Sequence, residues 1–200
     1  MTLIEQTQKK DLIIIAVIHS DVPESTRKTI YADYFRPFVT ELESFIERKV
    51  CVVFAGGEPY CNFDYKGEDV TGTLQRWQTL GYKLLHEMNE EGLNTEVYSA
   101  LTKIILVTRD KLNDAHAGVA LNWSSNRAGQ FAIASLTGYQ VVGHEMGHLL
   151  GAKHEDSEVQ FNGWIADTYM APTNDKFKAN TYTFSHANRQ NIKSYLADKD

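Results

Sequence analysis

Val141-Val142-Gly143-His144-Glu145-Met146-Gly147-His148-Leu149-Leu150-Gly151-Ala152-Lys153-His154 carries the pattern H-E-x-x-H-x-x-G-x-x-H. Residues four apart on a helix share a face, so His144 and His148 can offer imidazole nitrogens to one metal ion. Glu145 lies one step round, within reach of a water on that ion. Gly151 tolerates the left-handed backbone that ends a helix, and the chain can then turn back to bring in His154. Three histidines leave a fourth zinc position open, the arrangement of a catalytic rather than a structural site. Average residue frequencies produce a bare H-E-x-x-H in roughly one of a few hundred chains of this length, and the added glycine and histidine make chance roughly a thousandfold rarer.

The flanks fit a helix. Thr137-Gly138-Tyr139-Gln140 reads as a T-x-x-Q capping box that starts it ahead of the histidines. Val141, Val142, Leu149 and Leu150 supply apolar surface for packing.

With its third histidine the motif resembles that of the metzincin zinc peptidases. The resemblance implies a methionine turn downstream, and Asp167-Thr168-Tyr169-Met170-Ala171-Pro172 supplies one. Met170 is then an apolar floor beneath the histidines. Pro172 stands where astacins and serralysins have a tyrosine, so Tyr169 is not carried over as a ligand. Met170-Ala171-Pro172 and Phe184-Ser185-His186-Ala187-Asn188 look more like the adamalysin (reprolysin-like) branch, although no cysteine follows Phe184-Ser185 closely.

Composition bounds the rest. The 200 residues, 42% apolar and 23% charged, suit one soluble domain over 1–200, which the resemblance makes a metallopeptidase catalytic domain. By resemblance it divides into an upper subdomain of about 1–154 and a lower one of about 155–200, with the cleft between them. A net charge of −6 argues against nucleic acid as partner. No apolar run reaches membrane-spanning length. Cys51 and Cys61 either form one bridge or stay reduced.

Along the chain, Leu12 to Ile18, Val50 to Phe54 and Lys103 to Thr108 read as buried strands. Helical patterns over about Ser25–Lys49, kinked or restarted at Pro37, and over Thr71–Glu91 alternate with them. The β-α-β-α-β order implies a parallel sheet with two helices on it. Gly118 to Trp123 and Gln130 to Ser135 are further strands, the second leading into the zinc helix. Loops surround the methionine turn, and a C-terminal helix closes the chain from about Ser185 to Ala197. The expected fold is thus α/β, a metzincin-like zincin with a five-stranded, mostly parallel sheet. By resemblance the fourth strand is its antiparallel edge above the cleft. An open edge accepts an extended peptide as one more strand, here along Gly118, Val119, Ala120 and Leu121. Ala171 and Pro172 would wall the pocket beyond the cleaved bond.

The resulting expectation is a zinc endopeptidase with one catalytic Zn²⁺ on His144, His148 and His154 and with Glu145 as general base. Calcium binding is not readable. The expected partner is an extended peptide or protein substrate, with no nucleic acid or membrane, and the protein is expected as a monomer. Secretion or export is expected, with a cytosolic enzyme as the alternative. Three rivals stand beside this reading. A gluzincin would take Glu155 or Glu158 as third ligand, but both follow the helix too soon. A non-catalytic binding module would have lost Glu145. A zinc hydrolase of a non-protein amide fits the same motif. His19, His86, His116 and His186 are expected outside the ligand set, with His116 nearest the cleft.

Overall fold

Leu12–Ile18 (β1) and Thr102–Thr108 (β3) are the central strands of the sheet and bury almost every side chain. In the computed structural model, which describes residues 9–92, 100–123, 127–161, 165–172 and 179–199 (backbone only at 121–123 and 127–128), the strand order is β2-β1-β3-β5-β4. Val50–Ala55 (β2) runs parallel to β1, and β3 and Arg127–Ser135 (β5) continue the parallel set. Gly118–Trp123 (β4) is antiparallel to β5 on the outside, as expected. The sheet is therefore mixed, with one antiparallel edge pair.

Side chains alternate across it. Leu12, Ile14 and Ala16 of β1 enter one apolar cluster, while Ile15 and Val17 enter the other. The second cluster is covered by Val70–Glu90 (α3), which buries Leu74, Trp77, Leu84 and Leu85. Each such side chain contributes on the order of 1.5–3 kcal/mol through area removed from water. Asp69 caps α3 by accepting the Gly72 N–H at 2.8 Å. The first cluster is shared by Arg36–Glu43 (α2), Val141–Leu149 (α4) and His186–Leu196 (α5). Glu41 of α2, 7% exposed, takes a two-pronged pair from Arg189 of α5 at 2.9 and 3.0 Å and also accepts the Phe184 N–H.

Several expectations are corrected. The single helix over Ser25–Lys49 is broken into Glu24–Arg27 (α1), a π turn over Tyr31–Phe35, and α2. Pro37 lies in the first turn of α2, where its missing N–H costs nothing. The chain leaves the helix after Glu43, and Arg48 then donates to the carbonyls of Lys10 and Leu196. Strand β2 is an outer edge, not a buried strand, with Val53 39% and Phe54 44% exposed. Apolar runs alone do not distinguish a central strand from an edge whose outer face is open. The loops expected around the methionine turn contain a small sheet of Val159–Phe161 (β6), Ile165–Asp167 (β7) and Ala179–Asn180 (β8). Strands of two or three residues are too short to show a period. Cys51 and Cys61 are free thiols. Among the described residues no helix is long and apolar enough to cross a membrane.

Candidate metal centre

Helix α4 begins at Val141, later than the capping-box reading places it. Residues 137–140 form a turn in which Val141 N–H reaches the Gly138 carbonyl, and the Thr137 hydroxyl pairs with Ser135. The hydroxyl is thus engaged by the strand that precedes it and does not cap the helix. The far end follows the sequence reading. Gly151 has φ +88°, Ala152 N–H bonds Gly147 O, and Gly151 N–H bonds His148 O. This pair is a Schellman termination, which turns the chain back toward the helix.

His154 returns in a 3-10 turn over His154–Asp156, and its Nε2 lies 3.0 Å from Nε2 of both His144 and His148. These three residues form a group whose ligand atoms lie close enough to hold one metal ion. Their protonation follows from their other contacts. A carbonyl oxygen only accepts, so His144 Nδ1–H donates to Tyr169 O at 2.6 Å and His148 Nδ1–H donates to Ala152 O at 3.2 Å. That leaves each Nε2 as a bare lone pair turned toward the others. Burial, with the neighbouring imidazoles adding to it, holds His144 down at about 3 and His148 at about 4, so both are neutral near pH 7. Both lone pairs face His154 Nε2 at 3.0 Å, where either a proton on that nitrogen or a shared cation holds the three together. The donor set fits a divalent cation that accepts imidazole nitrogen.

Glu145 is 6% exposed, and burial pushes its carboxyl up to about 8. Among the described residues no donor hydrogen-bonds its carboxylate, which borders the same cleft as the histidines. Gly118, at the start of β4, lies directly against it.

Met170 is wholly buried, in a turn closed by Ala171 N–H to Thr168 O at 3.1 Å. It comes so close under α4 that a Cβ at Gly147 would lie 2.6 Å from its sulfur, and one at Gly143 would lie 2.4 Å from the Tyr169 ring. The two glycines, four apart on one helix face, let the methionine turn pack against the backbone between the histidines. The Tyr169 side chain is buried among Tyr182 and Phe184, and its carbonyl orients His144. Neither carbonyl contact on the histidines was legible in the sequence, since a backbone oxygen leaves no residue-type signal.

The cleft has a volume of about 560 Å³, and Gly118, Val119, Ala120, Ala171 and Pro172 are among the residues that line it. The Leu121 side chain lies outside the described residues, and the β4–β5 register shifts between Ala120 and Asn122. Lys111, Gln140 and Asn180 also line the cleft, a place the sequence did not signal for any of them. His116 does border it, with its Nδ1 on Asn113. His19 pairs with Asp21, and His86 pairs with Glu90 on the surface of α3. Glu155 and Glu158 are not part of the histidine group.

No family model matches the chain, and no curated protein does. Among solved structures it is similar to metalloproteinase-II from Bacteroides fragilis, at 19% identity and a TM-score of 0.50. The match covers 94% of this chain and 54% of that one, so the chain spans about half the length of its structural neighbour. The likeness shows the fold alone, a mixed α/β architecture, and the three histidines that could hold a metal ion are an observation on this chain.

Proposed function

We propose that this chain is a zinc-dependent endopeptidase that hydrolyses peptide bonds of protein substrates. The observation that carries the reading is the convergence of three Nε2 atoms, two of them held as bare lone pairs, beside a buried carboxylate in an open cleft. When bound, zinc supplies Lewis acidity, polarising a carbonyl and making water acidic near neutrality. Ionised, as positive charge on the nearby histidine site would favour against its burial, Glu145 takes the proton of the attacking water on a carboxylate oxygen and returns it to the leaving amine. Among the described residues no donor occupies that carboxylate, which leaves its lone pairs for the water.

The substrate lies extended along the outer edge of β4, which among the described residues pairs with no further strand and can accept an added one. The register shift after Ala120 limits regular pairing to Gly118, Val119 and Ala120, so Leu121 is at its margin. Ala171 and Pro172 form a wall of the cleft. Within this reading, Met170-Ala171-Pro172 and Phe184-Ser185 favour an adamalysin-like relationship.

The test is a map of cleavage sites in a mixed proteome with the zinc-loaded protein, run with and without chelator. Peptide-bond cleavage that the chelator abolishes is the expected result. Hydrolysis confined to small non-protein amides, or cleavage indifferent to chelation, would overturn the proposal.

A further inference from the structure

His154 differs from the other two histidines in how it is held. His144 and His148 stand on a packed helix and each gives Nδ1–H to a backbone carbonyl. His154 is exposed, stands in a short turn beyond the helix, and among the described residues has no hydrogen bond at Nδ1. Its position is therefore set by its backbone.

That backbone is gripped by α5. Asn188 has no exposed surface and meets the Lys153 peptide with both ends of its amide. Lys153 N–H donates to Asn188 Oδ1 at 2.7 Å, and Asn188 Nδ2 donates to Lys153 O at 3.0 Å. Lys153 is extended, with φ −132° and ψ 149°, so the side chain pairs with it as a neighbouring strand would. On the other side of His154, the Ser185 hydroxyl donates to Asp156 O, and Asn191 Nδ2 donates to Asp156 Oδ2 at 2.7 Å. Ser185 also accepts the Asn188 N–H at 3.1 Å as the N-cap of α5. The ties fall on the residue before His154 and the second residue after it.

We propose that Asn188 is a positioning residue for the third metal ligand, holding the Lys153 peptide so that His154 Nε2 meets the nitrogens of His144 and His148. The inference rests on reading those three histidines as a metal site. Loss of the grip spreads His154 over other positions, and apparent affinity falls with the fraction of molecules in which it is in place. Residues that orient ligands typically matter about 10–100-fold in metal affinity.

The test measures zinc affinity by competition with a chromophoric chelator, alongside urea unfolding of the metal-free protein. Asn188→Asp keeps an acceptor for Lys153 N–H but sets a carboxylate oxygen against Lys153 O, and is expected to bind zinc about 10–100-fold more weakly. Asn191→Ala, at a partly exposed position, cuts the Asp156 contact and a longer donation to Asn188 Oδ1 at 3.4 Å while leaving both Asn188–Lys153 bonds, and is expected to weaken zinc by about threefold. It keeps the test decisive if Asn188→Asp does not fold. Ile192→Ala is the control, since Ile192 is fully buried in α5 and its side chain makes none of these hydrogen bonds. It should lower metal-free stability yet leave zinc affinity within about twofold. The inference is overturned if the foldable asparagine variants bind zinc like the parent, or if Ile192→Ala weakens zinc as much as they do. A parent protein that binds no zinc overturns the metal reading itself, and the inference with it.

Discussion

Gly118 and Glu145 are in direct contact at the cleft: a Cβ built on Gly118 would lie 2.5 Å from Glu145 Oε1 and 2.7 Å from its Cγ. The first residue of the edge strand thus limits where the carboxylate can lie. Gly118→Ala should push the carboxylate off its position while leaving the three imidazoles in place. The expected outcome is a fall in kcat of about 100-fold with one zinc per chain retained, measured by peptide turnover and metal analysis. Full activity in that variant would show that the carboxylate has room the structure does not give it.

Glu145→Ala and His148→Ala should separate proton handling from metal binding. The first is expected to lose about 10²–10⁴ in kcat and keep its zinc. The second should lose the metal, because it removes one of three nitrogen donors and Ala152 O loses its imidazole partner. Zinc retained at one per chain in His148→Ala would contradict the ligand set.

Gly147→Ala tests the floor of the site. Its methyl group would meet Met170 Sδ at 2.6 Å and Phe184 Cε1 at 2.8 Å in a fully packed region. Overpacking of this kind costs about 1–3 kcal/mol, readable as a lower urea midpoint of the metal-free protein. Met170→Leu, which conserves volume, should cost less than about 1.5 kcal/mol in the same measurement.

Lys103 makes stability depend on pH. It is fully buried in β3, donating to Gly129 O at 3.0 Å and Tyr195 Oη at 2.7 Å, and burial lowers it from 10.5 to about 7. Between those two values the unfolded chain binds more protons than the folded one, so this lysine makes stability rise with pH across that window. Its cost is fully present below about 7 and gone above 10.5. Lys103→Met removes the titration and leaves a pH-independent loss of two hydrogen bonds. Relative to the parent, the variant should therefore be best placed at pH 6 and lose ground toward pH 10, by at most about 1.4 kcal/mol per pH unit. Above about 10 the trend of the parent reverses. Buried tyrosines such as Tyr195, raised to about 12, ionise first in the unfolded chain. Urea titrations of both proteins across pH 6 to 10 check the slope, and parallel curves would mean that Lys103 is neutral throughout or reaches water.

Much of this was legible along the chain because it is periodic. His144 and His148 share a helix face by spacing alone, and runs such as Leu12–Ile18 announce central strands by their unbroken apolar character. Gly151 marked the helix end because a left-handed residue favours glycine. The helix start was misread, since Thr137 had a competing partner in Ser135. Exposure of β2 was misread for a similar reason: Val53 and Phe54 look like core residues until the strand order shows that, among the described residues, no further strand lies beyond β2.

By itself the sequence determined which nitrogens and which carboxylate are available, and the order of strands and helices that carries them, because helix and strand periods are local properties of the backbone. Only the tertiary structure decided that His154 comes within 3.0 Å of its partners, that Tyr169 O and Ala152 O hold two rings, and that Asn188 grips the Lys153 peptide. The Ala152 O and His154 contacts close locally through the turn after α4, whereas Tyr169 O and Asn188 reach α4 and that turn from far along the chain. Those long-range contacts exist only once α5 and the methionine turn have packed against α4.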